Sequence, residues 1–177
     1  MAEVRNIHSV QLRVSAARAG ALLDLLGSEG DVLWPGGRWP PMRIEGALRV
    51  GARGRHGPVQ YTVEDYVPSR RVCFRFSKPV GFVGTHTFEV FDEPCGCRLE
   101  HRVEMVPSGL SRILWPVIFG PLHDALAEDA VDRAVIALGE LRTPHQWSVW
   151  VRLLRGLGSL FDGSANARHG KGSVRAP

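Results

Sequence analysis

The chain of 177 residues is long enough to form one domain with a sizeable core, and its formal charge of +4 lies at one end. Residues 143–177 carry five basic side chains and one acidic one, whereas residues 1–142 carry 17 of each sign. Because this body is electrically balanced and shows no basic face with interleaved aromatics, we do not expect a nucleic-acid partner.

Cysteine usage and hydropathy exclude two further classes of protein. The three cysteines are an odd number, and the N-terminal residues lack the apolar core of a signal peptide, so a secreted disulfide scaffold is not expected. No apolar run approaches the ~18 residues of a membrane-spanning helix. We therefore expect a reduced, cytoplasmic protein, in which Cys95 and Cys97 flank a turn and bind no metal.

The first forty residues predict a strand, a helix and a loop. Residues 4–14 alternate between apolar and polar side chains, as a half-buried strand does. Ser15 stands at the N-cap position of the following helix, and Gly27 stands where that helix would end. Residues 28–41 contain two Trp-Pro steps and a Gly-Gly pair, which predict a loop.

Five later segments also alternate between apolar and polar side chains, and they predict an antiparallel meander with one apolar face. The segments begin near Met42, Val59, Val72, Phe82 and Leu99. The glycine-rich segment GARGRHG, residues 51–57, is expected to be the turn between the first two strands.

Strand parity places two histidines on the inner face of one hairpin. With the hairpin turn at residues 94–95, His86 pairs with Val103. In the same register Phe88 pairs with His101, so that the two imidazoles are diagonal neighbours within reach of a shared ligand.

A long amphipathic helix is predicted from Leu122 to Arg142. Its apolar face collects Leu126, Ala130, Ala134, Ala137, Leu138 and Leu141, and His123 falls on the same face. Because this face carries more Ala than Leu, a sheet that closes over it would leave a cavity. Four acidic residues are expected to point away from the interior, either solvated or in ion pairs at the sheet edge. These acids are Asp124, Glu128, Asp129 and Asp132.

The order of elements predicts an α+β helix-grip fold, in which a curved antiparallel sheet of about six strands wraps around the long helix. This order, the GTHTFEVF…CRLEHRVEM hairpin and the LHDALAEDAVDRA helix resemble the SRPBCC superfamily. That superfamily includes START-like lipid carriers and polyketide cyclase/dehydratase proteins. The resemblance covers about residues 4–142 and implies a hydrophobic ligand cavity between the sheet and the helix.

The expected ligand is a small hydrophobic or aromatic molecule, bound without a cofactor. The predicted cavity walls are Phe74, Phe76, Phe88 and Val103 on the sheet and Leu122, His123, Leu126, Ala130 and Ala134 on the helix. Three tryptophans are expected near the entrance: Trp34, Trp39 and Trp115.

Two alternatives to simple binding stay open. His86, His101 and Tyr61 form a set that can abstract and return protons, as a polyketide cyclase or dehydratase requires. Equally, these side chains can be hydrogen-bonded core residues. No metal is predicted, because the spacing of the inward histidines does not require their nitrogens to converge.

The chain beyond residue 142 carries a separate signal. Residues 143–161 predict an amphipathic helical extension of the domain formed by residues 1–142. Residues 146–161 suit either peripheral contact with an anionic membrane or packing on the domain or on a second copy. Residues 162–177 lack apolar content and predict a disordered basic tail.

Overall fold

The computed structural model describes the backbone of residues 3–166 and the side chains of residues 3–157. Within this part of the chain, seven strands form one antiparallel sheet in the order β1-β7-β6-β5-β4-β3-β2. The strands are β1 (Val4–Leu12), β2 (Arg43–Ile44), β3 (Arg53–His56), β4 (Val59–Val67), β5 (Arg71–Lys78), β6 (Phe82–Glu93) and β7 (Gly96–Pro107). The helices are α1 (Ala16–Gly20), α2 (Ser111–Leu114), α3 (Gly120–Ala137) and α4 (Val149–Asn166), with a 3-10 turn at Leu23–Leu25 and a π-helical turn at Trp115–Phe119.

The predicted α+β helix-grip architecture is confirmed, since the curved sheet is combined with a long helix in the C-terminal part of the chain. The sheet has seven strands because the segment around residues 43–56 forms two short strands, β2 and β3. β1 lies at one edge of the sheet and pairs along its whole length with β7.

The β6–β7 hairpin has the predicted register. His86 pairs with Val103, and Phe88 pairs with His101. A two-residue turn at residues 94–95 fixes this register, because a tight hairpin turn allows little slippage between its strands. The prediction of two neighbouring inward histidines is therefore confirmed.

The glycine-rich segment 51–57 is more than the predicted turn, and that prediction is wrong for its middle. Residues 53–56 form β3, and the turn to β4 is confined to Gly57 and Pro58. Gly54 allows the Tyr61 ring to approach the backbone closely, because a Cβ at this position would lie 2.3 Å from Cε2 of Tyr61. Glycine therefore lets the Tyr61 ring pack across the β3 backbone.

The helix α3 is shorter than predicted. It ends at Ala137, shortly before Gly139, which adopts a φ of +82° that favours glycine. The predicted inner-face residues Leu126, Ala130, Ala134 and Leu138 are buried. Ala137, in the last turn, and Leu141, beyond the helix end, are exposed, so the prediction is wrong for these two residues.

Two acidic residues of α3 are buried, contrary to the expectation that they face away from the interior. Asp129 accepts hydrogen bonds from Trp39 Nε1 at 2.7 Å and from Arg38 Nη1 at 2.9 Å. Asp132 Oδ1 lies 2.7 Å from Arg142 Nε. Burial of these carboxylates is offset by donors from loops that fold over the helix.

Residues up to His145 form one compact unit, and a second unit begins at Gln146. In the second unit α4 starts at Val149 and reaches Asn166, so it begins later and runs farther than the helix predicted within residues 143–161. The part of the predicted tail beyond residue 166 lies outside the described residues. None of the described helices combines the length and apolar character that a bilayer crossing requires.

Candidate functional site

Five of the seven histidines form a continuous row of rings, called here the histidine row. In spatial order its members are His8, His123, His101, His86 and His56. Successive ring centroids lie 5.9, 4.9, 5.9 and 6.3 Å apart. The five residues come from β1, α3, β7, β6 and β3, so only the folded chain brings them together.

Strand pairing explains the order of the row. His8 of β1 directly faces His101 of β7. His86 lies on the next strand, β6, where it faces Phe74 of β5. Side chains at such positions on one face of an antiparallel sheet lie within contact distance of each other. α3 contributes His123, whose ring stacks on His101 with an interplanar angle of 28°.

The inner end of the row is packed among aromatic rings. His86 stacks on Phe74 and Phe76, with centroid distances of 4.7 and 5.0 Å. The Tyr61 ring meets His86 edge-on at 4.9 Å, and its hydroxyl oxygen lies 3.4 Å from His56 Nδ1. These contacts fix the imidazole of His86 without occupying its nitrogens.

Several ring nitrogens of the row are buried and have no hydrogen-bond partner among the described residues. They are His86 Nε2, His101 Nδ1 and both nitrogens of His123. A buried polar atom without a partner costs about 1–3 kcal/mol, and native interiors contain few of them. The four nitrogens are therefore available to a ligand or to ordered water.

The outer end of the row is charged and hydrogen-bonded. His8 Nδ1 lies 2.8 Å from Glu128 Oε1, and His8 Nε2 lies 3.2 Å from Asp124 Oδ1. Asn6 Nδ2 donates to the same Asp124 oxygen at 2.7 Å, and Arg142 Nη2 donates to Glu128 Oε2 at 2.7 Å. Asp124 and Glu128 thus form the sheet-edge ion pairs that were one of the two alternatives for these acids.

The two ends of the row differ in protonation. Burial, helped by neighbouring imidazoles, holds the pKa of His86 and of His101 well below 6.5. Burial also lowers the pKa of His56 to about 3, and it lowers the pKa of His123. At His8 burial acts in the same direction, but the two carboxylates outweigh it and raise the pKa. The four inner rings are therefore uncharged at neutral pH, and His8 at the outer end is the most readily protonated member of the row.

Two other groups at the site have shifted pKa values. The adjacent His123 and the hydrogen bond with His8 lower the pKa of the Asp124 carboxyl despite its partial burial. Burial raises the pKa of Tyr61, which remains an uncharged phenol and can donate a hydrogen bond. The interior thus offers neutral donors and acceptors, and the formal charges lie at its outer end.

Most of the predicted wall residues are buried, and Phe74, Phe76 and Phe88 contact rings of the row. Phe74, Phe88, Val103, Leu126, Ala130 and Ala134 are buried, while Phe76 and Leu122 are half-buried. Val103 belongs to an apolar cluster with Phe82 and Met105, against which Phe76, Trp115 and Phe119 pack. The contact of these residues with a ligand stays a prediction.

The tryptophans differ from the expectation that they stand at an open entrance. Trp34 and Trp39 are only 4% and 6% exposed, so they close the interior from the loop side. The Trp34 ring lies 4.7 Å from His56, at the inner end of the row. Trp115 is half-buried, and its ring lies 5.9 Å from His123.

Two members of the row, His8 and His56, were not predicted from the sequence. His8 has the same strand parity as Val10 and Leu12, and this signal was sufficient to place it on the inner face of β1. His56 lies in the glycine-rich segment whose composition predicted a turn, so its strand position left no clear pattern in the sequence.

No protein-family profile and no curated protein sequence matches the chain, whereas solved structures do. Norcoclaurine synthase from Thalictrum flavum matches with a TM-score of 0.58 and 16% identity, over 78% of this chain and 88% of its own. A protein from Thermobifida fusca matches with a TM-score of 0.56 and 18% identity, over 84% of this chain and 100% of its own. CalU16 from Micromonospora echinospora matches with a TM-score of 0.51 and 15% identity, over 95% of this chain and 88% of its own. At these identities the similarity shows a shared fold.

Proposed function

The chain has the helix-grip fold of the SRPBCC proteins, and on that premise we propose that it binds a small aromatic or hydrophobic molecule between the sheet and α3. In this proposal the ring nitrogens of His86, His101 and His123 hold the polar group of the ligand. The apolar part of the ligand contacts the predicted wall residues around the row.

The set of buried ring nitrogens without partners among the described residues carries this proposal. The three side chains belong to three different elements, and each ring is within 5.9 Å of the next, measured between centroids. A neutral imidazole donates through one nitrogen and accepts through the other. A ligand hydroxyl or carbonyl group would therefore satisfy the nitrogens that have no partner among the described residues.

The surrounding rings favour an aromatic ligand. Phe74, Phe76 and Phe88 present aromatic surface beside His86 and His101, and aromatic pairs add about 0.5–1.5 kcal/mol to the burial of their area. The norcoclaurine synthase of Thalictrum flavum has been solved in complex with dopamine and hydroxybenzaldehyde. Both are aromatic molecules with hydroxyl groups, and this is the ligand class that we propose for the present chain.

Two measurements test the proposal. Native mass spectrometry of the freshly purified full chain reveals a co-purified small molecule. Titration with 2-naphthol, followed by tryptophan fluorescence, tests the ligand class directly. We expect saturable binding by the wild type and about tenfold weaker binding by His86→Leu and by His101→Leu, because a lost hydrogen bond costs about 0.5–1.5 kcal/mol.

His145→Leu is the matched control, since His145 is exposed and lies outside the histidine row. It should bind 2-naphthol with the affinity of the wild type. Equal affinities for all four proteins would overturn the role of the row. The absence of both a co-purified molecule and saturable 2-naphthol binding would overturn the proposed ligand class.

A second candidate function is that of a cyclase- or dehydratase-like enzyme, and the closeness of Tyr61 and His86 favours it. A neutral imidazole can take a proton from a carbon beside a carbonyl, and a phenol can protonate the alkoxide that ring closure forms. His101 is the second imidazole within reach. The low pKa of His86 makes it a weak base, which is why binding is the primary proposal.

Incubation with a poly-β-ketone mimic, with chromatography of the products, tests the enzymatic candidate. Loss of the general base is expected to slow cyclisation about 100-fold or more in His86→Ala, whereas His145→Ala should react like the wild type. Equal turnover by the wild type and His86→Ala would exclude this role of His86 and leave the binding proposal intact.

A third proposal concerns the second unit of the chain. Trp150, Leu153 and Leu157 are exposed on one side of α4, and residues 143–177 are net basic. We propose that this segment rests on an anionic membrane surface, where Trp and basic side chains are favourable. Co-sedimentation with phosphatidylserine vesicles should fall strongly when residues 144–177 are deleted. Concentration-dependent self-association without vesicle binding would overturn this proposal.

A further inference from the structure

Three donor side chains meet where the edge strand β1 passes the first turn of α3. They are His8 of β1 and the consecutive residues His123 and Asp124 of α3. One ligand atom from each, two imidazole nitrogens and a carboxylate oxygen, lie within 4.8 Å of one another. His8 Nε2 is 3.2 Å from Asp124 Oδ1, and His123 Nδ1 is 4.0 Å from the same oxygen.

We propose that His8, His123 and Asp124 bind one divalent transition-metal ion of the zinc class. Ligand atoms that lie about 2.0–2.1 Å from a tetrahedral ion are about 3.3 Å from each other. The separation of His8 Nε2 and Asp124 Oδ1 is already close to this value, and His123 Nδ1 lies 4.0 Å from the same oxygen. Histidine nitrogens and one carboxylate oxygen form a frequent zinc donor set that leaves a fourth position open.

An ion pair alone does not explain this cluster. A protonated His8 accounts for its own contacts with Asp124 and Glu128. It does not account for His123, whose two ring nitrogens are buried without a hydrogen-bond partner among the described residues. A metal ion would use one of these nitrogens and would replace the proton on His8 Nε2, which passes to solvent.

The surrounding residues have the arrangement that metal-binding histidines commonly show. His8 Nδ1 contacts Glu128 Oε1 at 2.8 Å, and Arg142 holds the other oxygen of that carboxylate at 2.7 Å. A carboxylate on the far ring nitrogen fixes the tautomer and orients the near nitrogen toward the ion. Asn6 Nδ2 donates a hydrogen bond to Asp124 Oδ1, the ligand oxygen itself, at 2.7 Å and so orients that carboxylate. With neutral imidazoles, Asp124, Glu128 and Arg142 together carry one net negative charge, which suits a cation.

This site goes beyond the binding function proposed above and shares only His123 with it, whose two ring nitrogens allow one contact to the ion and one to the ligand. It lies at the outer end of the histidine row, whereas His86 and Tyr61 lie at the inner end. The expectation that no metal binds rested on the spacing of the inward histidines, whereas two ligands of this site are His8 and Asp124.

Zinc binding by the full chain tests the inference. The protein is stripped with EDTA, moved to chelator-free buffer and titrated with Zn²⁺ in competition with a chromophoric chelator. We expect one equivalent to bind with a Kd below about 1 μM. Asp124→Asn and His123→Gln should each weaken binding at least 100-fold. Glu128→Gln, a positioning variant, should weaken it about 10- to 100-fold.

Matched controls separate this site from adventitious zinc binding. His145→Gln and Cys95→Ser remove an exposed imidazole and an exposed thiol outside the cluster, and both should bind zinc like the wild type. His123→Gln keeps the His8 ion pairs, so its fold should be retained. Zinc should raise the Tm of the wild type and leave that of His123→Gln unchanged. Retention of the bound equivalent in Asp124→Asn, or a wild-type Kd above about 100 μM, would overturn the proposal.

Discussion

The two ends of the histidine row place the same side chain in opposite environments. At the outer end, the His8 ring lies between two carboxylates, which raise its pKa despite its burial. At the inner end, the His86 ring lies between two phenylalanines and is uncharged. One end is therefore stabilised by charge and hydrogen bonds, and the other by ring packing that leaves a nitrogen unpaired.

This difference shows that burial alone does not determine what an imidazole does in this fold. Both His8 and His86 face inward from strands of the same sheet. At the edge strand α3 supplies two acids to the row, Asp124 and Glu128, which reach His8. Away from that edge the helix supplies Ala, and the sheet supplies Phe. The chemistry of each ring is set by which residues of α3 and of the neighbouring strands stand opposite it.

The largest effect should come from breaking the packing of the inner end. Phe74 is fully buried and stacks on His86. Phe74→Ala should lower the free energy of unfolding by about 3–5 kcal/mol, because it removes a buried ring and leaves a cavity. Ile7→Ala, on the exposed face of β1, is the control and should cost less than about 1 kcal/mol. Urea unfolding measures both values, and similar costs would contradict the packing account.

The second effect is an acid sensitivity that belongs to the inner end. The pKa of His86 is well below 6.5 in the folded chain, so below pH 6.5 the unfolded chain binds a proton that the folded chain does not. Stability should therefore fall with falling pH, by about 1.4 kcal/mol per pH unit for this residue. Urea unfolding at pH 6.5 and 5.0 gives the change of the free energy of unfolding per pH unit. In His86→Leu this change should be smaller than in the wild type by that amount. An unchanged slope would mean that His86 is already protonated in the folded chain.

The third prediction is that replacing a histidine by leucine changes the free energy of unfolding with opposite signs at the two ends of the row. His86→Leu should raise the free energy of unfolding at pH 7 by about 1 kcal/mol, because it removes an unpaired buried nitrogen while losing ring stacking. His8→Leu should lower it by about 2 kcal/mol, because Asp124 and Glu128 each lose one hydrogen-bond partner and keep Asn6 and Arg142. Chemical denaturation measures both values. If the free energy of unfolding changed with the same sign in both variants, the proposed difference between the two ends would be wrong. The gain in His86→Leu should also accompany the weaker ligand binding expected of that variant.

The sheet and its hairpin register were predictable because strand parity is a strong signal. Alternation from Phe82 to Val90 and from Leu99 to Met105, together with a short turn, leaves one register that buries both apolar faces. The end of α3 was predicted too late, since Leu141 continues the helical pattern although Gly139 interrupts it. Periodicity does not reveal where a helix loses the surface against which it packs.

The site was predictable only in its centre. His86, His101 and Tyr61 follow strand parity, and the structure brings their rings together. The ion pairs of His8 depend on which strand forms the sheet edge and on how α3 crosses it, and a single sequence does not specify these long-range placements. Likewise, burial of Asp129 requires the loop that carries Trp39 to fold over the helix. Local patterns do not contain such contacts.

The smallest effect concerns the screening of the outer end by salt. Glu128→Gln in EDTA-treated protein should cost about 1 kcal/mol at low ionic strength, since the amide keeps one hydrogen bond to His8 but loses the charge that Arg142 and His8 face. In 1 M NaCl this cost should shrink, because the Debye length falls to about 3 Å and the pair is partly exposed. The effect of Phe74→Ala should stay constant over the same range of salt. A salt-independent cost of Glu128→Gln would show that Glu128 acts through packing, and the outer end would then resemble the inner one.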